Sequence, residues 1–117
     1  MFLPLEHKKL NLYAVSKKIV YSCHELTHNI VSEEKGFISE QVRKAALIAQ
    51  ANITKALYFK KKKRKRRLFK KAMKAYVLVD AGLEMILELR WATANDMFEL
   101  EKDMQAAFIS LRKKSKK

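Results

Sequence analysis

The chain has 117 residues, with 26 Lys and Arg against 12 Asp and Glu, and its formal net charge is +14. Apolar residues make up 49% of the chain, which is enough for a packed core and excludes disorder as the default interpretation. Only two Gly and one Pro are present, and the common residues are good helix formers, so we predict one all-α domain over residues 1–117.

The first two helices are predicted near residues 5–30 and 37–59. In both, apolar side chains recur every three or four residues, the spacing of a helix with one buried face. The second helix has an Ala-rich face, which suits a central position because small side chains let a neighbouring helix approach closely. The segment Val31–Gly36 between them contains Ser, Glu and Gly, and is predicted to be a reversal.

A third helix is predicted near residues 66–92. Eight consecutive basic residues, 60–67, precede it. Because adjacent like charges oppose helix formation, we place the connection between the second and third helices near residues 60–63. Gly82 lies inside the third helix, where it costs about 1 kcal/mol relative to Ala. Either a close helix crossing or simple tolerance explains this glycine.

The fourth helix is predicted near residues 96–112, with Asn95 as its N-cap and a loose basic tail at 113–117. Four amphipathic helices with short connections predict an up-down-up-down four-helix bundle. A homo-oligomer would cover any apolar surface that the bundle leaves exposed.

Basic and acidic residues are separated along the chain. Residues 55–74 contain twelve basic residues and no acid, whereas residues 80–103 contain seven acids and two bases. A protein this basic is expected to bind a polyanion, with nucleic acid first and an anionic membrane surface second. We disfavour the membrane because the core already requires the apolar helix faces. A nuclear-localisation signal would also resemble this basic run.

We therefore predict a nucleic-acid interface of phosphate contacts, since each Lys or Arg near a phosphate releases condensed counterions. The predicted contacts are Lys60, Lys61, Lys62, Lys63, Arg64, Lys65, Arg66, Arg67, Lys70, Lys71 and Lys74, with Arg43, Lys44 and Arg90 as secondary contacts. Four aromatic residues lie among these cations and could stack on unpaired bases, although we assign them first to the core. They are Tyr58, Phe59, Phe69 and Tyr76.

Residues 24–28, HELTH, match the H-E-x-x-H pattern of zinc metalloproteases. We reject a catalytic metal site because the core-facing stripe of this helix turns His24 and His28 toward solvent, and no strand is predicted to hold a peptide substrate. Asp80, Glu84 and Glu88 share one helix face, and we interpret them as a surface stripe or subunit contact. Cys23 is interpreted as a core residue. We predict no enzyme activity, no metal and no cofactor.

The N-terminus is apolar for only five residues before Glu6, which is too short for the apolar core of a signal peptide. No stretch approaches the roughly 18 apolar residues of a membrane span, and the single cysteine excludes an internal disulfide. We therefore expect a cytoplasmic protein.

Two segments, 39–53 (SEQVRKAALIAQANI) and 79–90 (VDAGLEMILELR), carry a family resemblance. They resemble a four-helix-bundle family with two branches. One branch is Avd, the accessory protein of diversity-generating retroelements, and the other is encoded in intervening sequences of bacterial large-subunit rRNA. The first segment is similar to the rRNA-encoded branch and the second to Avd. The basic run and residues 80–90 favour Avd.

The resemblance to Avd implies a homopentamer of bundles with a basic outer surface. Such a protein would bind a reverse transcriptase and its template RNA, and would support mutagenic cDNA synthesis. Two alternatives stay open at this point. One is an rRNA intervening-sequence protein of unknown role, and the other is an oligomeric scaffold that binds only protein.

Overall fold

The computed structural model describes residues 11–28, 30 and 33–116, with side chains for all of these except 33–35. The described residues form helices and no strand, so the all-α prediction is confirmed for them. Residues 5–10 of the predicted first helix and Lys117 of the predicted tail lie outside the described residues. The helices are α1 (Asn11–His28), α2 (Glu33–Tyr58), α3 (Lys62–Glu88) and α4 (Ala94–Ser115).

Each helix packs against two others. Consecutive helices are in contact, α1 also contacts α4, and the described residues of the two diagonal pairs keep their Cα atoms more than 8 Å apart. This ring of contacts around one core is consistent with the predicted up-down-up-down bundle. The largest fully buried side chains, drawn from all four helices, include Ile19, Ile53, Tyr76, Ile86 and Leu111.

Helices α2 and α3 form the most extensive pair and approach each other closely. The buried face of α2 is rich in Ala, as the sequence predicts. Gly82 of α3 lies against the buried side chain of Val42, and a Cβ atom at position 82 would collide with the Cγ2 methyl of Val42. Of the two explanations for a glycine inside this helix, the structure therefore supports the close crossing.

The predicted reversal at residues 31–36 is wrong in its second half. Helix α2 begins at Glu33, so Gly36 lies in its first turns rather than in a turn. No other part of the described chain lies within 4 Å of a Cβ built at Gly36. Glycine lowers helix propensity without forbidding the conformation, so it did not mark the boundary here.

The start of α3 corrects a second prediction. The helix begins at Lys62 and not near residue 66, so most of the basic run is helical. The Lys65 N–H already donates to the Lys61 carbonyl oxygen over 3.0 Å. Charge repulsion between exposed cations is weak in water, and burial of Leu68 and Phe69 in the next turn holds the helix in register.

Helix α3 ends at Glu88, earlier than predicted, in a Schellman motif. The Trp91 N–H donates to the Ile86 carbonyl and the Arg90 N–H to the Leu87 carbonyl. Arg90 adopts a left-handed conformation with φ 61°, which an L-residue tolerates at a cost. These bonds satisfy carbonyls at the helix end and turn the chain toward α4.

Thr93, not Asn95, is the N-cap of α4. The Asp96 N–H donates to Thr93 Oγ1, and the Thr93 N–H donates to Asp96 Oδ2 over 2.9 Å, which completes a capping box. The far end of α4 also differs from prediction, because the helix continues through most of the predicted tail to Ser115, which is buried. Near mid-helix, Asp103 pairs with Lys18 of α1 at 3.3 Å.

Candidate nucleic-acid interface

Most of the primary predicted phosphate contacts lie on the outward side of the first half of α3 or at its N-cap. With 3.6 residues per turn, successive positions are about 100° apart around the helix axis. On the side away from the core, Arg64 and Arg66 are therefore the two ends of an arc of about 160°. Lys63, Arg67, Lys70, Lys71 and Lys74 fall within this arc, opposite the buried positions Leu68 and Ala72. We call the outward surface formed by Lys61, Lys63, Arg64, Arg66, Arg67, Lys70, Lys71 and Lys74 the cationic face.

The cationic face encloses an open cleft of about 600 Å³ between its side chains, and every residue that lines this cleft is a Lys or Arg. All eight side chains are exposed. No acidic side chain from the described residues lines the cleft, so the positive potentials of neighbouring cations add without local compensation. The structure thus brings together eight of the eleven primary predicted contacts, and leaves Lys60, Lys62 and Lys65 outside the cleft.

The position of these cations at a helix N-terminus strengthens the positive potential. The first turn of α3 contains no acidic residue, and the side chain of the N-cap residue Lys61 makes no capping hydrogen bond. A helix N-terminus carries a partial positive charge and N–H groups without intrahelical partners. Cations here oppose the helix dipole, and a bound anion would offset both contributions.

The aromatic residues near the cationic face divide into two pairs. Phe69 and Tyr76 are buried, so their assignment to the core is confirmed. Phe59 is half-buried, and the guanidinium carbon of Arg64 stands 3.8 Å from its ring centroid, a cation–π contact. Tyr58 is 58% exposed and packs edge-on against Phe59. Of the four, only Tyr58 offers an open ring.

The three secondary contacts do not join the cationic face. Arg43 donates from Nε to Thr27 Oγ1 over 2.6 Å and from its terminal nitrogen to the His24 carbonyl, so it ties α2 to the end of α1. Val42 beside it lies opposite Gly82, which is about 18 Å along α3 from Lys70 at 1.5 Å per residue. Lys44 is exposed on the same part of α2.

Arg90 lies in the turn after α3, beyond Glu88, which is about 21 Å along the helix axis from Lys74 by the same rise per residue. Its left-handed backbone belongs to the Schellman motif. The structure therefore gives the Arg43 side chain a role at the end of α1 without a ligand, whereas at Arg90 only the backbone has such a role.

The H-E-x-x-H segment shows the geometry expected of a surface. His24, Glu25 and His28 are all exposed, which confirms the predicted orientation of the two His side chains. Their rings stand 5.9 Å apart. Among the described residues, no three His, Cys, Asp or Glu side chains gather into a group that could hold a metal ion.

Two buried ionisable groups lie in the core. Cys23 is fully buried, and burial raises the pKa of its thiol to about 12. Burial also raises the pKa of the Tyr76 hydroxyl, with a smaller contribution from Cys23. A neutral thiol is a poor nucleophile, so the structure supports the assignment of Cys23 to the core.

Sequence reasoning missed a second surface feature, a groove between α3 and α4. Its lining includes exposed apolar side chains such as Val77 and Ile109 beside the acid Asp80. The available signal was the presence of apolar residues outside the main stripe of each helix. The acidic stripe of Asp80, Glu84 and Glu88 is exposed as predicted, and its first two members line this groove.

Comparison of the chain with protein-family models and with curated proteins found no match. In the described residues, no helix combines the length and apolar character needed to cross a bilayer. The geometry of the cationic face and the sequence resemblance are therefore the basis for a functional proposal.

Proposed function

We propose that the protein binds nucleic acid through its cationic face, as a non-catalytic accessory factor. One observation carries the proposal: eight Lys and Arg side chains line one exposed cleft that contains no acid. A phosphate backbone supplies closely spaced negative charges that such a surface would bind with counterion release. The helix N-terminus of α3 adds N–H donors and a favourable dipole at the same end of the cleft.

We expect the protein to select its ligand by charge and shape rather than by base recognition. Lys and Arg contact phosphates in any sequence, whereas base recognition relies on specific pairing with base edges. The only open aromatic ring among the four near the face is that of Tyr58, at the edge of the cluster. We therefore expect strong salt dependence and weak sequence preference.

The resemblance to Avd extends this proposal to a biological setting. In that setting the protein binds template RNA and a reverse transcriptase, and supports mutagenic cDNA synthesis by a diversity-generating retroelement. A homopentamer with its cationic faces outward would suit this role. The alternatives remain an rRNA intervening-sequence protein and a scaffold that binds only protein.

The test is a charge reversal of three arginines, Arg64→Glu, Arg66→Glu and Arg67→Glu, in the full chain. We expect helicity by circular dichroism to be retained, while affinity for a fluorescein-labelled RNA falls at least tenfold in 100 mM salt. The slope of log K against log salt should also decrease by about two, because up to three phosphate contacts are lost at 0.7–0.9 each.

A matched control applies the same change in net charge away from the cationic face. Lys44→Glu, Arg90→Glu and Lys102→Glu should leave most of the RNA affinity and the salt slope in place. Equal losses in both variants would show that net charge alone attracts RNA, and unchanged binding in the first variant would refute the proposal. Purified protein whose ratio of absorbance at 260 nm to that at 280 nm is that of protein alone, with a stoichiometric protein partner, would instead favour the scaffold.

A further inference from the structure

The groove between α3 and α4 is a surface whose chemistry opposes that of the cationic face. Two adjoining cavities, of about 390 and 280 Å³, share the lining residues Asp80, Met104 and Gln105 and so form one continuous groove. Along α3 the groove extends from Tyr76 to Leu87. That distance is about 17 Å at 1.5 Å per residue, or three helical turns.

Apolar side chains line the groove and remain open to solvent. Val77 is 56% exposed, Ile109 is 55% exposed and Leu87 is 40% exposed, while Met104 and Phe108 are half-buried beside them. Single exposed apolar residues are ordinary, but several that line one continuous concavity mark a contact site for another molecule. The lining offers no free backbone edge, so an occupant must satisfy its own backbone hydrogen bonds, as a helix does.

The rim of the groove carries only negative charge. Asp80, Glu84 and Glu101 line it, and neither cavity is lined by a Lys or Arg. The chain has 26 basic and 12 acidic residues, so the charge of the groove is opposite in sign to the net charge of the protein. A partner with cations beside its apolar residues would therefore complement the groove, and an acidic partner would be repelled.

We propose that the α3–α4 groove binds an amphipathic helix with cationic flanks from a different protein. Its apolar side chains would fill the groove, and its Lys or Arg would pair with Asp80, Glu84 and Glu101. The cationic face of a second copy fits less well, because its Lys and Arg point outward whereas the apolar residues of the same segment, such as Leu68 and Phe69, are buried. The inference does not depend on nucleic-acid binding.

A defined peptide pair tests the proposal with the full chain. The probe is a fluorescein-labelled 14-residue peptide with Leu at helical spacing and Lys at the other positions, and its control is a scrambled peptide of the same composition. The protein carries a net charge of +14, so a cationic peptide without an apolar face should be repelled. We expect the helical peptide to bind at least tenfold more tightly than the scrambled one.

Two groove variants and one control locate the binding. Val77→Ser with Ile109→Ser should weaken the helical peptide at least tenfold, and Asp80→Asn with Glu84→Gln and Glu101→Gln at least fivefold in 50 mM salt. Neutralising three acids outside the groove, Glu25→Gln, Glu40→Gln and Glu99→Gln, should change affinity less than twofold. Circular dichroism checks that each variant is folded.

Three results would overturn the proposal. They are equal binding of both peptides, equal effects of the rim and control variants, or amide shifts in NMR that map outside residues 76–109. Sedimentation tests the remaining possible occupant, a second copy of this chain. If the parent chain is an oligomer and the variant Val77→Ser with Ile109→Ser is not, the groove binds a second copy. RNA affinity measured on the same variants should stay within twofold of the parent chain, which separates this result from a failure of the cationic face.

Discussion

The two halves of α3 bury the same stripe but present opposite surfaces. In the first half, Leu68, Phe69 and Ala72 face the core, and in the second half Val79, Leu83 and Ile86 do so. Outward, the first half carries the cationic face, while the second carries Asp80 and Glu84 beside the groove. The core thus fixes the helix and leaves the outward positions free, so both proposed binding surfaces consist largely of residues that folding does not require.

The largest expected effect comes from a variant that extends the positive charge into the second half of α3. Asp80→Lys, Glu84→Lys and Glu88→Lys should raise RNA affinity about tenfold in 50 mM salt and steepen the salt dependence, since new cations adjoin the existing ones along the helix. Fluorescence anisotropy across a salt series measures both quantities.

The neutral variant Asp80→Asn, Glu84→Gln and Glu88→Gln is the control for that experiment. It should produce only a small part of the gain, because removed repulsion is weaker than an added phosphate contact. A charge-reversed variant with unchanged RNA affinity would mean that nucleic acid does not reach the second half. The same reversal should abolish binding of the cationic peptide at the groove, so the two surfaces respond in opposite directions.

A second comparison uses the two glycines that both lie inside helices. Gly82→Ala should destabilise the protein by about 1–2 kcal/mol, because a Cβ collides with buried Val42 and overpacking outweighs a helix-propensity gain of about 1 kcal/mol. Gly36→Ala should stabilise it by up to about 1 kcal/mol, since its Cβ meets nothing. Urea unfolding measures both.

The double variant Gly82→Ala with Val42→Ala identifies the cause of that loss. Removing the Val42 methyls relieves the collision. The double variant should therefore lose less stability than the sum of the losses in the two single variants. Strict additivity would show that the approach of α2 and α3 does not limit position 82.

The smallest expected effect lies at the start of α4, and it depends on pH. Hydrogen bonds from the backbone and side chain of Thr93 lower the pKa of Asp96 below its usual value. A depressed folded pKa stabilises the protein above the unfolded pKa of about 3.9, and the contribution is lost as pH falls through the folded pKa. The stability gap between the parent chain and Asp96→Ala should therefore shrink between pH 6 and pH 3.

The control for this prediction is Asn95→Ala, a neighbouring change without a titrating group. Its stability gap, measured by urea unfolding at both pH values, should stay constant. A gap for Asp96→Ala that is also constant would remove the capping box as the cause.

Periodicity predicted the number and order of the helices because burial of one face is a property of each segment alone. The boundaries were harder to predict. Gly36 and residues 60–67 suggested breaks from local preference, yet neighbouring helices and the buried side chains of the next turn overrode that preference. Thr93 was missed as the N-cap because the nearby Asn95 suited the same role equally well by residue type.

Most of the cationic face could be predicted from the sequence, since Lys63, Arg67, Lys70 and Lys74 recur at the spacing of one helix side. The roles of Arg43 and Arg90 could not, because they depend on Thr27 and on the end of α3. The α3–α4 groove was also hidden, since its walls come from two helices, and residues of the same cavity such as Val77 and Ile109 stand 32 positions apart in the chain. Only their packing places Val77 and Ile109 in one concavity.

Alkylation of the buried Cys23 thiol would report transient opening of the fold. A thiol with a pKa of about 12 inside the core reacts with an alkylating reagent only when α1 separates and the thiolate can form. Because Cys23 is the one cysteine in the sequence, every modification reports the same opening event. Any molecule that binds only the closed form should lower the modification rate in proportion to its occupancy.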